Sequence, residues 1–137
     1  MFGTNRNPTA IYAEVSSNAA DSADPHKLIL MLFDGARMAI STARLHMEHK
    51  EIPEKGAAIS RAIDIIQNGL NASLDETYGG ELAVQLSALY EYINQRLLWA
   101  NLKNNVAALD EASQLLGELQ SAWIQIAPNP PTQEDAA

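Results

Sequence analysis

Three histidines, His26, His46 and His49, are the residues of this chain with the broadest chemistry, and the last two stand three positions apart. Residues three apart share one face of a helix, so this pair, with Glu48 beside it, is a conceivable metal site. A two-metal site in a helical bundle requires a glutamate three positions before a histidine on two helices. No carboxylate precedes any of the histidines by three positions. We interpret them as solvated or partly packed side chains and expect no metal.

The other reactive residue types predict no catalytic site. The chain has no cysteine, which excludes thiolate ligands, cysteine nucleophiles and disulfides. Gly79 and Gly80 lack the lysine and the Ser/Thr of a phosphate-binding loop, so we assign them to a turn. The carboxylates are scattered over polar positions and are interpreted as solvated. We therefore expect no enzyme and no cofactor.

The charge balance restricts the class of partner. Seventeen acidic and nine basic residues give a formal net charge of −8, and no run of Lys or Arg concentrates positive charge. Nucleic acids and anionic membrane surfaces bind basic faces, so both are disfavoured as partners. The apolar run Leu28 to Phe33 is far shorter than the ~20 residues that span a bilayer, and we expect no membrane insertion. The first residues show no secretory signal pattern, which favours a cytoplasmic protein.

Hydrophobic periodicity predicts an all-α protein, an antiparallel four-helix bundle with a short N-terminal segment or helix packed on it. Asp24 followed by Pro25 is a helix start, and Asn105 is a plausible cap for the last helix. The predicted divisions are a flexible N-terminal segment at 1–23 with an apolar cap, the bundle at 24–127, and a disordered, proline-rich tail at 128–137. Within the bundle the helices are predicted at about 25–49, 53–76, 80–103 and 105–126.

The third predicted helix is apolar on two opposed sides. Its core stripe contains six apolar residues: Leu82, Leu86, Leu89, Ile93, Leu97 and Ala100. A second apolar line lies about 160–240° away from Leu86 at ~100° per residue. It consists of Val84, Ala88, Tyr92, Trp99 and Leu102. Gln95 interrupts this line, and we include Gln95 and the adjacent Arg96 in the predicted partner-binding surface.

Two explanations of the second line remain open. One is that a self-dimer or the N-terminal segment, with Ile11, Tyr12 and Val15, covers it. The other is a groove that accepts an amphipathic partner through anchors at helical spacing. Both hold together if the N-terminal residues cover the line only while no partner is bound, so these three residues belong to the predicted partner-binding set.

Several motifs of this chain, in their order along the sequence, resemble those of the flagellar secretion chaperone FliS family. The stretches that carry the likeness cover about residues 10–126 and include the loops. They are Tyr12 to Val15, Asp24 to Leu28, Met31 to Ala36, Ala62 to Ile66, Gly69 with Leu70, Ser73 to Asp75, Leu89 to Leu98, Ala100 to Asn104, Leu115 with Leu116, and Ala122 with Trp123. The segment from Leu89 to Leu98 is the most specific of these.

The resemblance implies a cytoplasmic bundle that binds the C-terminal segment of newly made flagellin. It further implies that the chaperone prevents premature polymerisation and delivers flagellin to the flagellar type III export apparatus. In the family the N-terminal segment can occupy part of the client surface. The alternative functions are a homodimerisation or adaptor module without chaperone activity, and an enzyme or metal carrier built on a bundle.

Overall fold

A computed structural model describes residues 24–126, apart from the side chains of residues 76 and 77. Within this range the chain forms four long helices and no β-strand, which confirms the predicted all-α bundle. Helix α1 is Pro25–Glu48, α3 is Gly80–Lys103 and α4 is Val106–Gln125. Helix α2 begins as Ile52–Ile65, passes through a π-helical turn at Ile66–Leu70 and a 3-10 turn at Asn71–Ser73, and ends with Leu74–Thr77. The predicted segments 1–23 and 128–137 lie outside the described residues, so the division of the chain stays a prediction.

The helix ends follow from local chemistry. The Asp24 side chain accepts a hydrogen bond from the backbone N–H of His26 at 3.0 Å, with Pro25 in the first turn. Asn105 caps α4 by accepting from the backbone N–H of Ala108 at 2.9 Å. Gly79 and Gly80 have φ values of +72° and +58°, a left-handed conformation that glycine adopts at little cost. Both predicted caps and the predicted glycine turn are confirmed.

The helices run antiparallel around one core. At one end of the bundle, which we call the proximal end, His26 of α1 stacks on Trp123 of α4. At the other, distal end, Arg44 of α1 pairs with Asp110 of α4. Helix α1 packs on α2 and α4, and α3 closes the bundle against the same two helices. The largest fully buried side chains are aliphatic: Leu32, Ile40, Ile59, Ile65, Ile66, Ile93, Leu97, Leu109 and Leu116.

A polar link fixes α4 against α1 inside this apolar framework. Gln120, 8 % exposed, accepts from Arg37 at 3.0 Å and donates to Asp34 at 2.7 Å. The Arg37 guanidinium lies against Gly117. A Cβ atom at position 117 would come within 3.2 Å of this guanidinium, so glycine leaves the room that it occupies. Because buried polar groups require partners, this link specifies one register of the two helices.

The buried side of α3 differs in one respect from the predicted core stripe. Leu82 was predicted to be in the core but is about half exposed, whereas Ala83 and Tyr90 are buried. Leu86 and Leu89 are partly buried, and Ile93 and Leu97 are fully buried as predicted. The buried arc is therefore rotated toward Ala83, on the side where α3 faces the end of α2.

Candidate partner-binding surface

The second apolar line of α3 is exposed in the described part of the chain. Val84 and Leu102 are 69 % and 73 % exposed, and the large rings of Tyr92 and Trp99 are each 43 % exposed. Ala88 and Gln95 are exposed as well, and Arg96 is partly buried. We call these residues of α3, including Gln95 and Arg96, the α3 surface. Four large apolar side chains are thus exposed along one side of α3, with Gln95 between them, which marks the α3 surface as a candidate interface.

The proximal part of the α3 surface borders a groove. Val84 and Ala88 line a cavity of about 560 Å³ between the first half of α3 and the end of α2. Leu74 and Ala83 contribute apolar side chains, and the carboxylates of Asp75 and Glu91 contribute charge. An apolar side chain of a partner can enter this groove while its polar groups meet the rim.

The middle of the α3 surface is joined to α4 by one carboxylate. The Tyr92 hydroxyl donates to Oε2 of Glu111, and the Arg96 Nε–H donates to Oε1 of the same residue at 2.8 Å. Tyr92 and Arg96 are one helical turn apart, so both reach the same position on α4. The bond to Glu111 raises the pKa of the Tyr92 phenol above its ordinary value. The bonds from Tyr92 and Arg96 lower the pKa of the Glu111 carboxyl.

The distal part of the α3 surface is the last turn of α3. The ammonium of Lys103 lies 5.4 Å from the centre of the Trp99 ring, a cation–π contact. Lys55 of α2, only 3 % exposed, donates to the carbonyl oxygen of Asn101 at 2.9 Å and also bonds Asn104. Lys55 therefore supplies a partner for a carbonyl at the end of α3, where helical partners run out.

Comparison with known proteins identifies the family. The family model described as "Flagellar protein FliS" matches residues 8–130. The chain is 51 % identical over 124 residues to the "Flagellar secretion chaperone FliS" of Salmonella typhimurium, covering 90 % of this chain and 92 % of that protein. It is 48 % identical over 113 residues to the "Flagellar secretion chaperone FliSB" of Pseudomonas aeruginosa, covering 82 % and 89 %. It is 32 % identical over 114 residues to the "Flagellar secretion chaperone FliS" of Bacillus subtilis, covering 83 % of this chain and 84 % of that protein.

The chain belongs to the FliS family. FliS proteins are flagellar secretion chaperones and not enzymes, which confirms the resemblance inferred from the motifs and the prediction that this chain is not an enzyme. The motifs were informative because they occur in order along the whole bundle, which a chance match of one short pattern does not produce.

Two of the three histidines of this FliS protein make ordinary side-chain contacts in the described residues, and His49 caps the end of α1. His26 stacks on Trp123, and Nδ1 of His46 lies 2.7 Å from a carboxylate oxygen of Glu51. Between residues 24 and 126 no cluster of three or more His, Cys, Asp or Glu side chains has the arrangement of a metal site. Over the same range no helix is long and apolar enough to cross a membrane.

Three residues of the predicted partner-binding set lie outside the described residues: Ile11, Tyr12 and Val15. Their part in partner binding stays a prediction. Two residues were not found from the sequence: Glu111, which bonds two residues of the α3 surface, and Lys55, which bonds the end of α3 beside it. Glu111 is 15 and 19 positions from its two partners and belongs to another helix, so no local spacing points to it. Lys55 stands on the buried side of α2, three and four positions before Ala58 and Ile59, but its residue type favours exposure and its bonding partners belong to the end of α3.

Proposed function

We propose that this FliS protein binds the C-terminal segment of flagellin through the α3 surface in the cytoplasm. Holding that segment would prevent premature polymerisation and deliver flagellin to the flagellar type III export apparatus. The observation that supports this proposal is the position of the α3 surface. One side of α3 forms the core with Ile93 and Leu97, while Tyr92 and Trp99 on the other side are exposed.

The proposed mechanism is binding without turnover. A client segment that polymerises through an apolar face is offered another apolar face by the chaperone. Each side chain withdrawn from water contributes on the order of 1.5–3 kcal/mol before ordering costs are subtracted. A client that is disordered when free loses conformational entropy as it binds, which limits the affinity and allows release to the export apparatus.

The N-terminal segment is proposed to cover part of the α3 surface when no client is bound. Asp24, where the described chain begins, lies at the proximal end together with the stacked pair His26 and Trp123. The groove beside Val84 lies at the same end, since it is built from the end of α2 and the start of α3. The nine steps from Val15 to Asp24 can span up to about 30 Å, about the diameter of a small domain, so the segment can extend across the proximal end of the bundle.

Two matched leucines test the proposal. Leu102 on the α3 surface is 73 % exposed, and Leu45 on α1, outside that surface, is 51 % exposed. Binding of a flagellin C-terminal peptide is measured by calorimetry for the wild-type protein, Leu102→Ser and Leu45→Ser. We expect 1:1 binding by the wild type, weaker binding by Leu102→Ser and unchanged binding by Leu45→Ser. Absence of binding by the wild type would reject the proposed function.

A homodimerisation or adaptor module is the competing function, because an exposed apolar line also fits a second copy of the chain. Size-exclusion chromatography at several protein concentrations, with and without the peptide, distinguishes the two. A chaperone surface predicts that the peptide binds at 1:1 stoichiometry and displaces any dimer. A dimer that persists in excess peptide, without peptide binding, would favour the adaptor module.

A further inference from the structure

Glu111 of α4 is the one side chain from another helix that is bonded to two residues of the α3 surface in the described chain. Each carboxylate oxygen accepts from a different donor, Oε2 from the Tyr92 hydroxyl and Oε1 from the Arg96 Nε–H. The backbone of Tyr92 belongs to α3 and its hydroxyl is held at α4. The tyrosine ring therefore bridges the two helices beside the apolar line.

We propose that Glu111 is a positioning residue for client binding, an inference that rests on the proposed function. Its carboxylate holds the Tyr92 ring and the Arg96 guanidinium in the orientation that a client meets. A side chain fixed before binding loses less rotamer entropy when the partner arrives, so orientation alone increases the affinity.

The bonds to Glu111 also determine the charge beside the apolar line. Arg96 and Glu111 are 31 % and 38 % exposed at the side chain, and they neutralise each other at 2.8 Å. With Glu111 replaced, Arg96 would lose its ion-pair partner and the Tyr92 hydroxyl would lose the bond that holds it at α4. Both changes oppose the docking of an apolar client face.

Glu118 provides a matched control on the same helix. It lies seven residues after Glu111, about two turns along α4, so it shares the same side of the helix. Among residues 24–126 its side chain accepts from Gln114, also on α4, at 3.3 Å. Replacing either glutamate by alanine therefore removes one carboxylate from α4, but of the two only Glu111→Ala frees residues of the α3 surface.

The test measures affinity for a flagellin C-terminal peptide by calorimetry and the melting temperature by circular dichroism. We expect Glu111→Ala to bind about fivefold more weakly, in line with the loss of charge-assisted hydrogen bonds. Glu118→Ala should bind as the wild type does. Glu111→Gln keeps one acceptor oxygen and should restore part of the affinity. The melting temperatures of the three variants should agree closely.

A double-mutant cycle separates positioning from a general structural role. In the Tyr92→Phe background, replacing Glu111 by alanine should weaken binding by a smaller factor, because the tyrosine bond is already lost. A spectroscopic readout accompanies the cycle, since the ultraviolet absorbance of tyrosine follows ionisation of the phenol, and the Tyr92→Phe variants subtract the other three tyrosines of the chain. The pKa of the Tyr92 phenol should fall in Glu111→Ala and stay unchanged in Glu118→Ala.

Equal binding by Glu111→Ala and the wild type would overturn this inference alone. The same conclusion follows if the factor lost is identical in the Tyr92→Phe background, or if the melting temperature falls in proportion to the affinity. If the wild-type protein does not bind the peptide, the proposed function fails and the positioning role fails with it. These two failures are therefore distinguishable.

Discussion

The two tryptophans occupy opposite situations on neighbouring helices. Trp123 of α4 is 8 % exposed, donates its indole N–H to the carbonyl oxygen of His26 at 2.9 Å and meets Tyr78 edge to face. Trp99 of α3 is 43 % exposed, and the one aromatic or cation contact found for it in the described chain is Lys103. A large aromatic side chain at helical spacing is thus part of the core in one case and part of a surface in the other.

This difference follows from the composition of each helix. Helix α4 has one apolar arc, which includes Leu116 and Trp123 and packs into the bundle. Helix α3 has apolar residues on two sides, and a helix at the edge of a four-helix bundle buries only one of them. Trp123 is therefore part of the core and contributes to the stability of the fold. Trp99 lies on the side that folding leaves exposed.

The largest effect is expected for Trp123→Ala. Removing a buried indole that packs on His26 and Tyr78 and bonds a carbonyl should lower the free energy of unfolding by about 3–5 kcal/mol. Urea denaturation followed by circular dichroism measures this loss. A stability equal to that of the wild type would show that the proximal end of the bundle folds without this side chain and would remove the contrast with Trp99.

The distal end provides the next test, through Lys55. Replacing it by methionine keeps the length of the side chain but leaves the carbonyl of Asn101 without its bond from the ammonium group. We expect a loss of about 1–3 kcal/mol in the free energy of unfolding. Lys27→Met on the exposed first turn of α1 is the control and should have little effect. A loss of the same size in both variants would contradict the assigned role of Lys55.

The all-α fold class and the two apolar sides of α3 could be predicted from the sequence, because the signals for both are local. Helical periodicity, the caps at Asp24 and Asn105 and the glycine turn are all local, so spacing along the chain reveals them. The exposure of Tyr92 and Trp99 could be expected because they face away from Ile93 and Leu97 on the same helix.

Contacts between helices could not be predicted in the same way. The π-helical turn at Ile66–Leu70 has no marker in local spacing. The bond of Glu111 to Tyr92 and Arg96, the burial of Lys55 and the exposure of Leu82 depend on how neighbouring helices are placed. A single sequence contains the periods of its helices but not their relative rotation, which tertiary packing decides.

The counterpart of Trp123→Ala is Trp99→Ala. Because Trp99 is outside the core, its replacement should leave the urea midpoint close to that of the wild type. The affinity for the flagellin C-terminal peptide should decrease about tenfold, because truncating a large side chain that anchors an interface typically costs more than about 1 kcal/mol. The two measurements together test the comparison. If stability and affinity fall in parallel, Trp99 belongs to the core and the α3 surface is smaller than described.

The smallest effect is the pH dependence of stability that arises from Tyr92 and Glu111. The pKa of the Tyr92 phenol is raised in the folded protein, so its contribution is complete below the unfolded value of about 10 and is lost as the pH rises through the folded pKa. The pKa of the Glu111 carboxyl is lowered, so its contribution is present above the unfolded value of about 4.3 and is lost as the pH falls through the folded pKa.

Urea midpoints of the wild type and Tyr92→Phe, measured between about pH 3 and pH 11, isolate this contribution. Burial also raises the pKa of Tyr90, but that residue is present in both proteins and its effect cancels in the difference. The difference should be small, because water screens an exposed pair, constant near neutral pH and smaller at both extremes. A difference that stays flat over the whole range would mean that the bond between α3 and α4 contributes nothing in solution. In that case the orientation of Tyr92 on the exposed side of α3 would be left to the client.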